Sequence, residues 1–274
     1  MKRITAINQA IQMAIKQIQR SAKRPLQEPD YNTALALLLP TLLNKSGYFK
    51  NMRFGGCYIH QSPIATFNDS SNVQCSCELG DLLAICHKVV DGDDWYNAAL
   101  VQWKIIKKAV EVLTGKPLNQ LSLYKHWPSF SLSSKGGTYD IYPKTVTPGA
   151  QYGLIQSYPD FGVFTTIPST FLKVQGASSY ARFLINLMSW QTGRPFEHDS
   201  SKANDDWSKL INHLIQSSLL KAFTRKNIGQ ISAPRASKEL LDLLVRTEQQ
   251  PEEEPSSEDK NDNSISILYI DILE

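Results

Sequence analysis

Two apolar, strand-like runs on either side of a tight polar turn constrain the fold of this chain more than any other feature. The run "LLAICHKV" precedes the turn "DGDD", and "YNAALVQWKII" follows it. Short apolar runs bounded by Gly and Asp are typical of β-strands, and the short turn favours a hairpin. The first strand is expected to span "VQCSCELGDLLAICHKV". With "GGCYIHQSPIATF" before it, the sequence predicts a meander of at least three strands.

Helical patterns lie on both sides of this strand-rich region. Residues 4–22 carry Ile at helical spacing, and "EPDYNTALALLLPTLLN" begins a second helix with Pro and acids in its first turn. The Pro inside that segment is expected to bend or divide the helix. Residues 204–226 have the pattern of a strongly amphipathic helix. Together these patterns predict an α/β protein with a central mixed β-sheet flanked by helices.

The composition changes sharply near the end of the chain. We expect one α/β domain over residues 1–247, an acidic disordered linker over 248–263 and an apolar, β-prone tail over 264–274. Such a tail has two interpretations. It can add a strand to the sheet edge of a partner protein, or it can dock on its own domain.

Charge and hydropathy restrict the partners and the location. The formal net charge is +3, but residues 248–262 are strongly acidic, so the rest of the chain is basic and suits a polyanionic partner. No apolar run approaches the ~20 residues that span a bilayer. The first residues contain no apolar segment of the kind found in secretory signals. The expectation is a cytoplasmic protein without a membrane segment.

One lysine in the second strand of the hairpin calls for an explanation. Lys104 lies in an apolar run, and burying an ammonium group is costly unless a partner offsets its charge. Residues two apart in a strand share a face, so Gln102 and Lys104 point the same way. The hairpin can bring both near Asp81, which precedes the other strand. Carboxylate and amide oxygens are ligands that Mg²⁺ prefers, and a nearby lysine can act on a water or a phosphate.

Asp81 followed by Gln102-x-Lys104 resembles the core motif of the PD-(D/E)XK nucleases, and the Gln-x-Lys form resembles the Mrr-type restriction endonucleases. This resemblance implies a restriction-endonuclease-like core and a Mg²⁺- or Mn²⁺-dependent endonuclease. An acid on a preceding helix would complete the site; Glu28 is the first choice, and Asp30 and Glu78 are the alternatives.

The resemblance also implies roles for these residues. Glu28, Asp81 and Gln102 would hold the metal, and Lys104 would act on the attacking water and the scissile phosphate. The protein would be the effector subunit of a bacterial restriction or antiphage defence system, with a protein partner or activating subunit. Gln102 replaces the commoner Asp or Glu of the family. The second hypothesis is therefore a weak or inactive nuclease-like module that binds nucleic acid or a partner protein.

Basic residues near the motif indicate where nucleic acid would bind, with DNA preferred over RNA. We predict that these residues contact the phosphate backbone. They are Lys107, Lys108, Arg225 and Lys226. Bases at the end of a helix also complement the helix dipole, so the pattern at 225–226 has a second explanation. The aromatic residues of "LYKHWPSF" can stack on bases or pack in a core, and the sequence favours packing.

Overall fold

The structure is a computed structural model that describes residues 2–60, 62–132, 137–156, 161–224, 235–236 and 264–273. In that part of the chain, a mixed sheet of nine strands is flanked by helices on both faces, which confirms the predicted α/β class. The α-helices are α1 (Lys2–Ser21), α2 (Glu28–Thr33), α3 (Leu39–Lys45), α4 (Pro117–His126), α5 (Tyr180–Met188) and α6 (Asp206–Thr224). The strands are β1 (Met52–Tyr58), β2 (Ile64–Asn68), β3 (Gln74–Glu78), β4 (Leu82–Val90), β5 (Asp93–Ile106), β6 (Val110–Val112), β7 (Phe130–Leu132), β8 (Thr138–Tyr139), β9 (Ala150–Gln156), β10 (Gly162–Thr166), β11 (Phe171–Lys173), β12 (Ser178–Ser179), β13 (Arg194–Phe196), β14 (Arg235–Ala236) and β15 (Ser266–Ile272). No helix of these residues has both the length and the apolar composition of a bilayer span.

The second helical segment is divided, as predicted. A π-helical turn, Ala34–Leu38, separates α2 from α3 and ends just before Pro40. Proline has no N–H to donate to the carbonyl of Ala36 four residues earlier, which explains the break. That carbonyl lies against β1. A Cβ atom at Gly56 would be 1.8 Å from the Ala36 oxygen, so this close approach requires glycine.

The predicted hairpin forms the middle of the main sheet. The strand order is β12-β10-β9-β5-β4-β15-β1-β14, and β13 also pairs with β5. β4 and β5 are antiparallel, with Leu82 opposite Val101 and Val90 opposite Asp93. β9 lies on the other side of β5 and runs parallel to it. The hairpin therefore has strand neighbours on both sides, which fixes its register.

The rest of the predicted meander is wrong, because the chain leaves the main sheet between β1 and β4. "VQCSCELGDLLAICHKV" forms two strands, β3 and β4, rather than one. β3 pairs with β2 in a smaller sheet of order β3-β2-β7-β8. The chain then re-enters the main sheet at Asp81. A polar-apolar alternation cannot show which of two sheets a strand joins, since both give the same pattern.

The end of the chain is an integral strand of its own domain. β15 lies between β4 and β1, parallel to the first and antiparallel to the second. The apolar residues from Ile265 to Ile270 are buried. The expectation of a protein partner bound through residues 264–274 is therefore corrected, because backbone and side chains of 266–272 are already paired within the chain. The predicted linker over 248–263 lies outside the described residues.

The main sheet separates two hydrophobic clusters. One cluster lies between the sheet and helices α1, α3 and α5, and it includes Trp103 and Tyr180. The other lies on the opposite face with α4 and α6. The aromatic residues of "LYKHWPSF" belong to this second cluster, where Tyr124, Trp127 and Phe130 are at most 1% exposed. Packing, rather than stacking on bases, is their role here.

A polar cluster joins the strands at the far end of β4. The ring of His87 lies 2.7 Å from Asp271 of β15 and 2.9 Å from Asp94 of β5, and Arg53 of β1 pairs with Asp271. Burial lowers the pKa of His87, but its bonds to the two carboxylates outweigh this and raise the pKa overall. Two further basic groups lie in this cluster: the charge of Arg53 opposes protonation of His87, whereas burial lowers the pKa of His198 and disfavours its charged form.

Replacing His87 by Gln is expected to cost about 1–3 kcal/mol of unfolding free energy near pH 5.5 and less near pH 9. A histidine whose folded pKa is raised stabilises the fold fully below its unfolded pKa, about 6.5, and this contribution is lost as the pH rises through the folded pKa. Urea unfolding of both proteins from pH 5.5 to 9 measures the difference. The pH range stays above the titration of Asp271, whose pKa is lowered. A difference that grows with pH would contradict the assignment.

Candidate active site

The turn between β3 and β4 is held in place from several sides, and this positions Asp81. The backbone N–H of Asp81 donates to the carbonyl of Val101 at 3.0 Å. The side-chain amide of Asn32, on α2, donates to the carbonyl of Asp81 at 2.8 Å. Two residues earlier in the turn, the N–H of Leu79 donates to the carbonyl of Pro63 at 2.7 Å. The backbone at Asp81 is therefore fixed relative to both α2 and β5.

The carboxylate of Asp81 binds the end of β5. Its Oδ2 atom accepts from the backbone N–H of Trp103 at 2.7 Å and from Nε2 of Gln102 at 2.5 Å. Its Oδ1 atom accepts from Oγ of Ser62 at 3.2 Å. The predicted meeting of Asp81 with Gln102 across the hairpin is thus present in the structure.

The environment of Asp81 disfavours its ionised form. Burial, and next the charge of Glu78, raise the pKa of Asp81 from 3.8 to about 7. Glu28 adds to this effect, whereas the N–H of Trp103 and the charge of Lys104 oppose it. A carboxylate that only capped a strand N–H would ionise readily. A partly buried acid beside a second acid is instead typical of sites that bind cations or move protons.

Gln102 has a defined orientation because a second glutamine holds it. Nε2 of Gln120, on α4, donates to the backbone carbonyl of Glu78 at 2.8 Å and to Oε1 of Gln102 at 2.6 Å. The oxygen of Gln102 therefore faces Gln120, and its NH₂ group faces Asp81, with Glu78 at 3.4 Å. Gln102 is 1% exposed and Gln120 is 4% exposed, so both amides depend on these bonds.

Of the two acids on α2, Glu28 is the one that lies beside Lys104. Its carboxylate lies 3.6 Å from the ammonium of Lys104 and accepts from the backbone N–H of Ile105 at 3.3 Å. Asp30 points elsewhere and pairs with Arg24 at 2.7 Å. Lys104 is thus placed between a helix acid and the Asp81 region, and these charges explain why a lysine is tolerated inside an apolar run.

The predicted backbone-binding lysines lie just beyond the same strand. Lys107 and Lys108 follow the end of β5 and are exposed. They lie three and four residues after Lys104 along the chain, between β5 and β6. Arg225 and Lys226 lie outside the described residues.

The side chains present fit a divalent metal ion in part. Asp81 and Glu78 offer carboxylate oxygens, the hard ligands that Mg²⁺ takes, and the accumulated negative charge favours a cation. Gln102 does not fit as an oxygen ligand in this arrangement, because its oxygen is engaged by Gln120. Within the ranges that the structure describes, no group of three His, Cys, Asp or Glu side chains is close enough to hold a metal.

Two residues of the site, Asn32 and Gln120, carry little or no signal in the sequence. Asn32 follows the acids of α2, and Gln120 lies in a helix whose residues "PLNQLSLYKH" show no functional pattern. Only the packing of α4 on the turn before β4 brings Gln120 to Gln102. Asn32 had a weak signal, since it lies on the same short helix as Glu28.

Comparison of the chain with protein-family models, curated proteins and solved structures finds no match in any of the three.

Proposed function

We propose that this protein is a metal-dependent endonuclease that hydrolyses phosphodiester bonds of nucleic acid. The observation that carries the proposal is the group of acids and lysine at one end of the β4–β5 hairpin. Asp81, with a pKa raised by burial and by Glu78, lies beside the strand that presents Lys104, and Glu28 orients that lysine. Acids and a lysine arranged in this way suit hydrolysis of a phosphate ester better than they suit a purely structural role.

Each residue of the group has a role in this proposal. Asp81 and Glu78 would bind Mg²⁺ or Mn²⁺ through carboxylate oxygens, and Glu28 flanks them. A bound divalent ion would supply a water of lowered pKa and would offset charge on the phosphate. Lys104 would orient the attacking water or neutralise charge that develops on the scissile phosphate. Lys107 and Lys108 would hold the backbone of the substrate beside the site.

The biological setting belongs to the same proposal. Membership of the PD-(D/E)XK nucleases, a role in restriction or antiphage defence, an activating partner and DNA as the preferred substrate all rest on the resemblance of the motif. The geometry around Asp81 and Lys104 is compatible with that motif.

Replacing Lys104 by Ala is expected to reduce cleavage by about 10²- to 10³-fold, because it removes a charge aimed at the phosphate. The test incubates supercoiled plasmid and a structured RNA with Mg²⁺, Mn²⁺ or EDTA, and it follows the loss of intact substrate. The matched control is Lys202→Ala, since Lys202 is an exposed lysine that pairs with Asp199, three residues before it. Cleavage that survives Lys104→Ala but needs metal would place the active site elsewhere.

One observation favours a second function, a nuclease-like module that binds without cutting. Gln102 stands where an acid is commoner, and its NH₂ group rather than its oxygen faces Asp81. The same reactions distinguish the two functions when binding is measured by fluorescence anisotropy in EDTA. Metal-dependent cutting supports the endonuclease. Tight binding by the wild type without cutting of either substrate supports the module.

A further inference from the structure

We propose that Gln120 and Gln102 are positioning residues that hold Asp81 through a fixed chain of hydrogen bonds, with Gln102 acting as a donor and not as a metal ligand. The inference rests on the proposed function only for its effect on catalysis. The hydrogen-bond chain itself is a property of the fold, and it can be measured whether or not the protein cuts nucleic acid.

The direction of the chain is set by a backbone carbonyl. A carbonyl can only accept, so the Gln120 group that lies 2.8 Å from the oxygen of Glu78 must be its NH₂. The same NH₂ lies 2.6 Å from Gln102, which must therefore present its oxygen there. The NH₂ of Gln102 is then left to face Asp81.

The opposite orientation of Gln102 is disfavoured at every contact. While Asp81 is ionised, the oxygen of Gln102 would lie 2.5 Å from Oδ2 of Asp81 and 3.4 Å from Oε2 of Glu78, which would set three acceptors together. Its NH₂ would lie 2.6 Å from the NH₂ of Gln120, with two donors facing each other. Rotating Gln120 as well would leave the buried carbonyl of Glu78 facing an oxygen.

This arrangement gives Gln102 a function that the Asp or Glu common in the motif does not have. A neutral donor in contact with Asp81 offsets the repulsion between Asp81 and Glu78. It also holds Oδ2 of Asp81 against the backbone N–H of Trp103. An acid at position 102 would bring a third negative charge to within hydrogen-bond distance of Asp81, without a proton to donate.

The Gln102→Glu variant separates the two possible roles of Gln102. If Gln102 is an oxygen ligand, a carboxylate keeps or increases both metal binding and cleavage. If Gln102 is a donor, we expect the urea midpoint at pH 8 in EDTA to fall, and kcat to fall by about 10- to 100-fold. Adding Glu78→Gln restores an NH₂ group to the cluster. The double variant is therefore expected to recover part of the decrease in the urea midpoint. A Gln102→Glu protein with the midpoint and activity of the wild type overturns the inference.

The role of Gln120 is tested by Gln120→Glu, which cannot donate when ionised. Its matched control is Asn119→Asp, the same amide-to-acid change at the neighbouring, partly buried position of α4, where the amide donates to the carbonyl of Ser76 at 3.3 Å. In ¹⁵N-resolved NMR spectra, the NH₂ signals of Gln102 are identified by their absence in Gln102→Glu. We expect these signals to shift and to exchange faster with water in Gln120→Glu, and to be unchanged in Asn119→Asp. Unchanged Gln102 signals in Gln120→Glu would overturn the role of Gln120.

A measurement on the wild type keeps the inference testable if the variants do not fold. The NH₂ of Gln102 and the N–H of Trp103 donate to the same oxygen of Asp81, so their hydrogens must be close in space. A nuclear Overhauser effect between them is expected in the metal-free protein. Its absence, with both signals observed, would mean that the amide of Gln102 is reversed.

Discussion

Replacing Asp81 by Asn is expected to reduce metal-dependent cleavage by about 10²-fold or more and at the same time to stabilise the protein at pH 8 in EDTA. Asn can keep each hydrogen bond of Asp81. Its oxygen accepts from Trp103 and Gln102 as Oδ2 does, and its NH₂ can donate to the hydroxyl of Ser62. What Asn removes is the buried charge beside Glu78.

The sign of the stability change follows from the pKa. The pKa of Asp81 is raised from 3.8 to about 7 in the folded protein, so the unfolded chain ionises first as the pH rises. The wild type therefore loses stability between about pH 4 and pH 7, by up to about 4 kcal/mol for a shift of this size. The variant lacks this loss. Its unfolding free energy should therefore equal that of the wild type near pH 4 and exceed it most at pH 8.

Urea unfolding of both proteins from pH 4 to 8 measures this advantage, and plasmid cleavage measures the cost in activity, expected to be about 10²-fold or more. Asp93→Asn is the matched control. It makes the same change on the same hairpin at an exposed carboxylate, and no gain at pH 8 is expected there. An Asp81→Asn protein that is less stable than the wild type at pH 8 would show that the charge of Asp81 is well compensated.

An opposite effect on stability and activity would identify Asp81 as a residue retained for function. Structural residues lose stability when they are replaced, whereas residues of active sites often carry strain or charge that the fold alone would not retain. This result would support a functional site at the hairpin even if the natural substrate is neither plasmid DNA nor the RNA used.

The parts of the fold that the sequence predicts are those set by local patterns. The hairpin follows from two apolar runs and a Gly-Asp turn, and the break in the second helix follows from Pro40. The proximity of Asp81, Gln102 and Lys104 follows from the alternation of side chains along strands, because a register fixed by a short turn determines which side chains meet. Their meeting at the end of the sheet needed no long-range information beyond this register.

Other features depend on contacts between distant parts of the chain. β3 and β4 form one continuous sequence pattern, yet they belong to different sheets. Only the pairing of β3 with β2 and of β4 with β15 shows which sheet each strand joins. Gln120 reaches Gln102 because α4 packs over the turn that contains Leu79, where the hydroxyl of Tyr124 donates to the Leu79 carbonyl at 2.6 Å. A glutamine in a short helix of mixed composition has no local property that predicts such a contact.

The tail shows the same limit. A β-prone run after an acidic segment has the same pattern whether it pairs with its own domain or with a partner. The gap between β1 and β4 decides between the two, and no local pattern in the tail indicates that this gap exists. β1 and β4 lie two strand spacings apart, about 9.6 Å, so the gap accommodates one strand.

Removal of residues 264–274 is therefore expected to prevent folding rather than to release a partner. Without β15, the facing edges of β1 and β4 lose their hydrogen bonds inside the sheet, and both hydrophobic clusters lose buried side chains. Ile267 and Tyr269 belong to one cluster, and Leu268 and Ile270 to the other. The site loses support too, because Ser266 of β15 accepts from Asn32, which binds the carbonyl of Asp81.

A pair of point substitutions measures this contribution without deleting backbone. Leu268→Ala removes a fully buried side chain and should cost about 2–5 kcal/mol of unfolding free energy. Leu273→Ala, just beyond the strand, removes a side chain that is 39% exposed and should cost less than about 1 kcal/mol. Urea unfolding measures both, and circular dichroism with size-exclusion chromatography examines the truncated chain. A truncated protein that stays monomeric and unfolds at the wild-type midpoint would mean that β15 is dispensable. The segment would then again be available to bind a partner.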